Sequence, residues 1–230
     1  KNRGYPQDNF HLLPHCVDTA RFIRPSFSDK RDVQKNLGLN GPIIGYVGRF
    51  VEEKGISLIL EVLGSISPNL WGGLIFLGSG PLEGLIRKWI RDHHFDSRAK
   101  VKLVRHEDMP EILPAVDILF SASQTRKNWK EQLGRMLIEA MACGIPNVAS
   151  DSGEIPNTVG TGGIIFPENS PKAAQDALEK LLRDPHLRES IGNQAIQESL
   201  RFSCETLGPQ MLAFWEKAVG KQGTSLNQGI

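Results

Sequence analysis

The stretch 41-GPIIGYVGRFVEEKGISLILEVLG-64 decides the fold. It opens with a short apolar run introduced by Gly-Pro and closed by Gly-Arg-Phe, the pattern of a strand buried on both faces. Its second half carries Ile56, Ile59, Leu60 and Leu63 at helical spacing. A buried strand running straight into an amphipathic helix is the first part of a βαβ unit, and such units build parallel sheets.

Outward from there the alternation repeats. LIFLGSGP (74–81) predicts a second strand and turn, followed by LEGLIRKWIRDHHF, a helix with Leu82, Leu85, Ile86 and Trp89 on one face. KVKLVRH (100–106) predicts a third strand, and EDMPEILPAV a short helix with Pro114 near its end. DILFSAS (117–123) is a fourth strand. The irregular polar stretch QTRKNWKEQLG separates it from the strongly helical RMLIEAMACG, which Gly144 ends. IPNVAS (145–150) and GGIIFP (162–167) are the fifth and sixth strands, with SGEIPNTVG between them. Two helices follow, PKAAQDALEKLLRDP, with Pro171 near its start and Pro185 after its end, and HLRESIGNQAIQESLR. A last helix is expected in SCETLGPQMLAFWEKAVGK. The fold class is therefore α/β: a Rossmann-like doubly wound parallel sheet of about six strands flanked by helices.

This layout divides the chain. Residues 1–40, with the apolar HLLP and a short helix near Arg31 to Leu37, read as an interdomain linker and lead-in. Residues 41–202 form the Rossmann-like domain, 203–220 a separate terminal helix, and 221–230 a polar tail expected to be disordered.

Composition narrows the function. A chain of 230 residues with 40% hydrophobic side chains buries enough apolar surface to fold without disulfides or structural metals. With 27 Lys+Arg against 26 Asp+Glu it carries no basic footprint for a nucleic-acid face, so no nucleic acid is expected as a partner. Cys16, Cys143 and Cys204 are odd in number, far apart and without Cys-x-x-Cys or Cys/His spacing. They support neither a disulfide framework nor a zinc site, and fit a reducing, cytoplasmic compartment. No run approaches the roughly 18 apolar residues of a membrane span. The opening KNRGYPQDNF has neither signal nor transit character and reads as a cut end.

In a doubly wound sheet, ligands bind beyond the carboxyl ends of the strands. After the first strand, VGRFVEEKG sets Arg49 and Lys54 five positions apart across a turn. A guanidinium fork with an ammonium charge suits a diphosphate, and two solvated surface cations are the plain alternative. After the second, Gly78 and Gly80 serve turn chemistry. Gly84 follows Gly80 by four positions rather than three, so the dinucleotide fingerprint is incomplete and a nicotinamide dehydrogenase is disfavoured. The most informative stretch is KNWKEQLGRMLIEAMACGIPNVASDSGEIPN. Glu131 lies in the loop before the helix and Glu139 one to two turns inside it, leaning back toward the helix N-terminus. Two carboxylates placed so can face one ligand and accept from vicinal hydroxyls, while the helix start near Gly134 offers free N–H groups to a phosphate. The plain alternative is an acid favoured by the helix dipole and a second one on a solvated face. His93 and His94 read as a solvated pair, Cys143 as a small buried hydrophobe, and Trp129 as a loop anchor.

Taken in order, these motifs resemble the retaining glycosyltransferases of family 4, whose GT-B architecture sets two Rossmann-like domains across a cleft. The resemblance covers about Leu12 to Ala218 and is to the C-terminal, donor-binding half. LPHCVDTARF is similar to the family's interdomain segment, usually Pro-Asn-Gly-Val-Asp. VGRFVEEKG is similar to its diphosphate turn, LGSGP to its next strand and turn, and EQLGRMLIEAMACGIPNVASDSGEIPN to its Glu-x7-Glu donor segment.

The resemblance implies that Arg49 and Lys54 hold the donor diphosphate and that Glu139 binds the ribose hydroxyls. Glu131 would be catalytic, contacting the transferred sugar or stabilising positive charge at its anomeric carbon. Gly134, Arg135 and Met136 would present backbone N–H groups to sugar or phosphates. It implies a nucleotide-diphospho-sugar of the UDP, GDP or ADP type as donor substrate, with no cofactor and no metal. Hexosyl transfer would retain anomeric configuration by a front-face or a covalent route. The partner implied is the N-terminal acceptor-binding domain, missing from this chain, so that this part binds donor and hardly turns it over alone. Peripheral membrane association would come through that missing half. Where the last helix crosses back to it, part of the set Leu207, Met211, Leu212, Phe214 and Trp215 is expected to be exposed. Three departures stand out: His15-Cys16 for Asn-Gly, Leu133 for Phe, and Asn157 for Glu. Two other readings are a non-catalytic nucleotide-sugar or phosphate-binding module and a GT-B-type sugar-nucleotide epimerase. The joint presence of Glu131, Glu139, Arg49 and Lys54 argues against the first, and the lack of a matching His or Asp in the donor loops against the second.

Overall fold

The computed structural model describes residues 14–225, with side chains to residue 219. The first 13 residues of the expected linker, including most of HLLP and the start of the resemblance, lie outside the described residues, as do residues 226–230 of the expected tail.

Six strands form at the six apolar runs: β1 (Ile43–Val47), β2 (Gly73–Leu77), β3 (Ala99–Lys102), β4 (Ile118–Ser121), β5 (Asn147–Ser150) and β6 (Gly163–Phe166). All neighbours pair in parallel, in the order β3-β2-β1-β4-β5-β6. The β1–β2 register runs from Ile43 opposite Gly73 to Val47 opposite Leu77. β1, β2, β4 and β5 are buried along their length, whereas the edge strands β3 and β6 are mostly half-buried. Burial on both faces is why these strands read as continuous apolar runs rather than alternating ones.

The helices are α1 (Phe27–Asn36), α2 (Ile56–Ser65), α3 (Glu83–Asp92), α4 (Met109–Ile112), α5 (Arg135–Ala142), α6 (Ile155–Val159), α7 (Pro171–Arg183), α8 (Pro185–Ser199) and α9 (Cys204–Ser225). Successive strand residues point to opposite faces, and two cores result. One joins Ile44, Phe76, Phe120 and Val148 to Ile59 and Leu63 of α2 and Leu178 and Leu181 of α7. The other joins Ile43, Ile75, Leu119 and Ala149 to Leu137, Ile138 and Met141 of α5 and Ala195 of α8. Side-chain caps mark two starts: Ser26 accepts from the Asp29 N–H, and Asp184 from the Leu187 N–H at 2.9 Å.

Two local expectations change, and one stretch without an assigned element forms a helix. On α3 the buried residues are Ile86 and Ile90, with Leu82 and Trp89 packed against them, while Leu85 is exposed. The buried stripe runs through 82, 86 and 89–90, so Leu85 stands about a quarter turn off it. SGEIPNTVG contains α6, which Pro156 in its first turn starts without loss of a needed N–H. The last helix continues to Ser225, five residues past the expected boundary at 220. Along it Leu207 is buried, whereas Met211, Leu212, Trp215 and Val219 are exposed.

The strand order reverses between β1 and β4. The chain leaves β1 toward β2 and β3 on one side and returns to β4 on the other. That reversal opens a crevice at the carboxyl ends of β1 and β4.

Candidate functional site at the carboxyl ends of β1 and β4

The turn after β1 is built against the turn after β2. The Phe50 N–H donates to the Ser79 carbonyl at 2.8 Å and the Leu82 N–H to the Phe50 carbonyl at 3.0 Å. Gly78, at φ +150°, allows the approach, since a Cβ there would lie 1.9 Å from the Gly48 carbonyl oxygen. Beneath the turn the Tyr46 hydroxyl donates to the Arg49 carbonyl at 2.7 Å. Burial, aided by the charge of Glu131, pushes the Tyr46 phenol far above its ordinary range, so it remains a donor. The backbone of Arg49 is thus fixed, while its guanidinium is exposed and pairs with Glu53 at 3.0 Å.

Five residues on, a 3-10 turn (Glu52–Lys54) presses on the end of β4 through Gly55, at φ +69°, whose added Cβ would fall 1.8 Å from the Ala122 carbonyl oxygen. Lys54 points inward from this turn. Lys54 Nζ donates to Glu131 Oε2 at 2.5 Å and sits 5.0 Å from the centre of the Trp129 ring. The Ser123 hydroxyl donates to the same Oε2 at 3.0 Å. The side chains of Lys54 and Glu131 are 13% and 11% exposed, so this is an interior ion pair and Lys54 is no solvated surface cation. Trp129 forms one side of it.

Glu139, 4% exposed, lies within α5. Its Oε1 accepts from Arg135 Nε at 3.0 Å and lies 2.8 Å from His106 Nε2; Arg135 Nη2 is 2.5 Å from the same ring nitrogen. A cleft of about 340 Å3 brings Arg49, Arg135, Met136 and Glu139 together with Gly48, Gly78 and His106. Gly134 is buried at the start of α5, where an added Cβ would lie 3.9 Å from Glu131 Cγ. Glu131 and Lys54 stand apart from this group, turned to one another. Each of the two expected carboxylates therefore has its own partners: Lys54 and Ser123 for Glu131, Arg135 and His106 for Glu139.

Sequence reasoning missed His106. In sequence it falls at the end of the third apolar run, where a polar residue just past a strand's carboxyl end is the same signal that marks the other residues. Leu103 and Val104, in the same turn, also line the cleft.

A second cavity, of about 490 Å3, adjoins the loop that carries Glu131 and includes Pro14, His15, Leu133, Asn157, Arg201 and Phe202 in its wall. His15, Leu133 and Asn157, distant in sequence, are departures from the family pattern, and they meet here. Beside it the Val17 N–H donates to the Phe202 carbonyl at 2.8 Å.

Among the described residues no three His, Cys, Asp or Glu side chains are grouped to hold a metal ion, and no helix is long and apolar enough to cross a membrane. His93 is exposed and stacks on Trp89 at 4.4 Å, and Cys143 is buried.

The family model described as Glycosyl transferases group 1 matches residues 28–198. The GDP-mannose-dependent monoacylated alpha-(1-6)-phosphatidylinositol monomannoside mannosyltransferase of Corynebacterium glutamicum is 31% identical over 189 residues, covering 80% of this chain and 49% of that protein. Among solved structures, HepE from Anabaena in complex with UDP-glucose superposes with a TM-score of 0.80 at 21% identity, over 93% of this chain and 59% of that one. The C-terminal domain of a glycosyl transferase group 1 family protein (LpcC) from Francisella tularensis superposes with a TM-score of 0.68 at 21% identity, over 79% of this chain and 95% of that domain. The chain spans about half the length of the curated relatives it matches.

Proposed function

The chain belongs to the glycosyl transferases group 1 family, and from that membership we propose that it is the donor-binding half of a retaining, metal-independent hexosyltransferase using a nucleotide-diphospho-sugar. The observation that carries this reading is the cleft joining Arg49, Arg135 and Glu139 at the reversal of strand order, with the Lys54–Glu131 pair beside it. The names of two similar proteins, one GDP-mannose-dependent and one solved with UDP-glucose, support a nucleotide-sugar donor.

In this reading Glu139, held by Arg135 and His106 through Oε1, keeps Oε2 for the ribose hydroxyls. Arg49, Lys54 and the N–H groups of Gly134, Arg135 and Met136 at the start of α5 take the diphosphate. When the bond from the anomeric carbon to the phosphate oxygen breaks, the electron pair leaves with the nucleoside diphosphate. These fixed positive groups stabilise that charge, which is the work a cation does in other transferases. Glu131, freed from Lys54 as the diphosphate engages the ammonium, faces the sugar and stabilises positive charge at the anomeric carbon. The acceptor hydroxyl is positioned by the N-terminal half, which is also where any peripheral membrane contact resides.

Calorimetric titration of this chain with UDP, GDP and ADP tests the reading. Saturable binding of one of them, weakened in both Arg49→Ala and Glu139→Ala, is the expected result. Binding that neither substitution changes would refute the assigned site.

A further inference from the structure

Cys16 and Cys204 are 188 positions apart, yet Cys204 Sγ donates to Cys16 Sγ at 2.7 Å, and both are free thiols. The backbone aligns them. Val17 and Ser203 form an isolated parallel bridge, with the Val17 N–H on the Phe202 carbonyl, so the segment before β1 lies along the residues that lead into α9. Cys16 is exposed and Cys204 half-buried, within reach of a small reagent. Closing a disulfide at about 2.05 Å needs the two sulfurs to approach by only about 0.7 Å. The third cysteine offers a contrast: Cys143 is buried, and burial together with the charge of Glu139 pushes its thiol up to about 12, which leaves it inert at neutral pH.

We propose that Cys16 and Cys204 are a modification site, a dithiol that closes reversibly to a disulfide with a small-molecule disulfide as oxidant. The Cys16 thiolate attacks one sulfur of the oxidant, and the first thiolate leaves with the electron pair of the broken bond. The Cys204 thiolate then attacks the Cys16 sulfur and expels the second. Two protein thiols lose two electrons and two protons, and the oxidant gains both as two thiols. The order follows from the geometry, because Cys16 is exposed whereas Cys204 is half-buried and donates its proton to Cys16. The consequence reaches the second cavity. His15 precedes Cys16, Phe202 precedes Ser203 and Cys204, and both line that cavity beside Leu133. The closed form fixes this wall, and the reduced form leaves it held by the Val17–Phe202 hydrogen bond.

The chemistry stands apart from the donor reading and is tested without a nucleotide. The reduced full chain is incubated with glutathione disulfide, blocked, unfolded and weighed by mass spectrometry. The expected product is lighter by two hydrogens, yields a non-reducing peptide joining Cys16 to Cys204, and forms at least about tenfold faster in the folded chain than in denaturant. Cys16→Ser and Cys204→Ser should each stop at a mixed disulfide. In hydrogen exchange the Val17 amide should be slower in the closed form. Blocked Cys16 and Cys204 in place of the cross-link, a cross-link through Cys143 or between chains, or equal rates folded and unfolded would each overturn the proposal. The wild-type peptide map decides the matter even if a serine variant fails to fold.

Discussion

Lys54 and Glu131, separated by 77 positions, meet through Nζ and Oε2 at 2.5 Å in an environment that leaves each side chain about one-eighth exposed. An ion pair so placed is costly to break from one side, because the remaining charge has little water to turn to. Lys54→Met should destabilise the chain by about 3 kcal/mol, and Lys54→Met with Glu131→Leu should recover most of that loss. Urea unfolding of the three proteins checks this; a double variant no more stable than the single one would refute the pairing.

Glu139 is expected to read the ribose. Glu139→Gln keeps the shape and removes the charge, so affinity for the preferred nucleoside diphosphate should fall roughly ten- to hundredfold. The 2′,3′-dideoxy analogue, lacking the hydroxyls, should bind wild type and variant alike. Calorimetry with both compounds separates a ribose contact from a general loss of fold.

His106 lies 2.8 Å from Glu139 and is expected to act through it rather than on the ligand's charge. His106→Ala frees Oε1 from one of its two side-chain partners and should weaken nucleotide binding about fivefold. His106→Gln, which keeps a donor near the carboxylate, should recover much of it. Equal losses in both variants would mean that the ring itself contacts the ligand.

Alkaline stability should depend on Cys143. Its folded thiol is pushed up to about 12 by burial and by Glu139, against an ordinary value near 9. Below pH 9 both folded and unfolded thiols are protonated and the stability is whole. Between about 9 and 12 the unfolded thiol ionises first, so stability falls by about 1.4 kcal/mol per pH unit. Cys143→Ala should flatten this part of a melting-temperature profile taken in reductant, over and above the shared loss from Tyr46.

Gly55 carries the turn that aims Lys54. Gly55→Ala puts a methyl against the Ala122 carbonyl in a left-handed conformation, and should cost at least about 2 kcal/mol. Because the turn must shift, nucleotide affinity should fall with it. Chemical denaturation and calorimetry on the same preparation test both.

The six strands could be read from residues 41–167 because the four inner runs are buried on both faces and Gly and Pro bound the runs, which leaves a local mark that packing only reinforces. The helix faces were less legible. Leu85 sits at a plausible helical position, yet Ile90 is buried and Leu85 exposed. The stretch that holds α6 carries no element in the sequence reading, because a helix of only five residues is too short to show a period. At the site, Arg49, Arg135 and Glu139 could be found because strand ends and helix starts place them locally. His106 escaped notice because its value depends on a neighbour 33 positions away.

Local sequence alone determined the alternation of strand and helix, the parallel sheet, and which turns face the crevice, since hydrophobic period and Gly/Pro punctuation act over a few residues. Only the tertiary structure decided the pairings. Lys54 chose Glu131 and His106 joined Arg135 on Glu139 because the doubly wound sheet gathers distant turns at the carboxyl ends of its strands, and Cys16 met Cys204 through the Val17–Ser203 bridge. A contact that closes a loop of tens to hundreds of residues leaves no trace in the spacing of its ends.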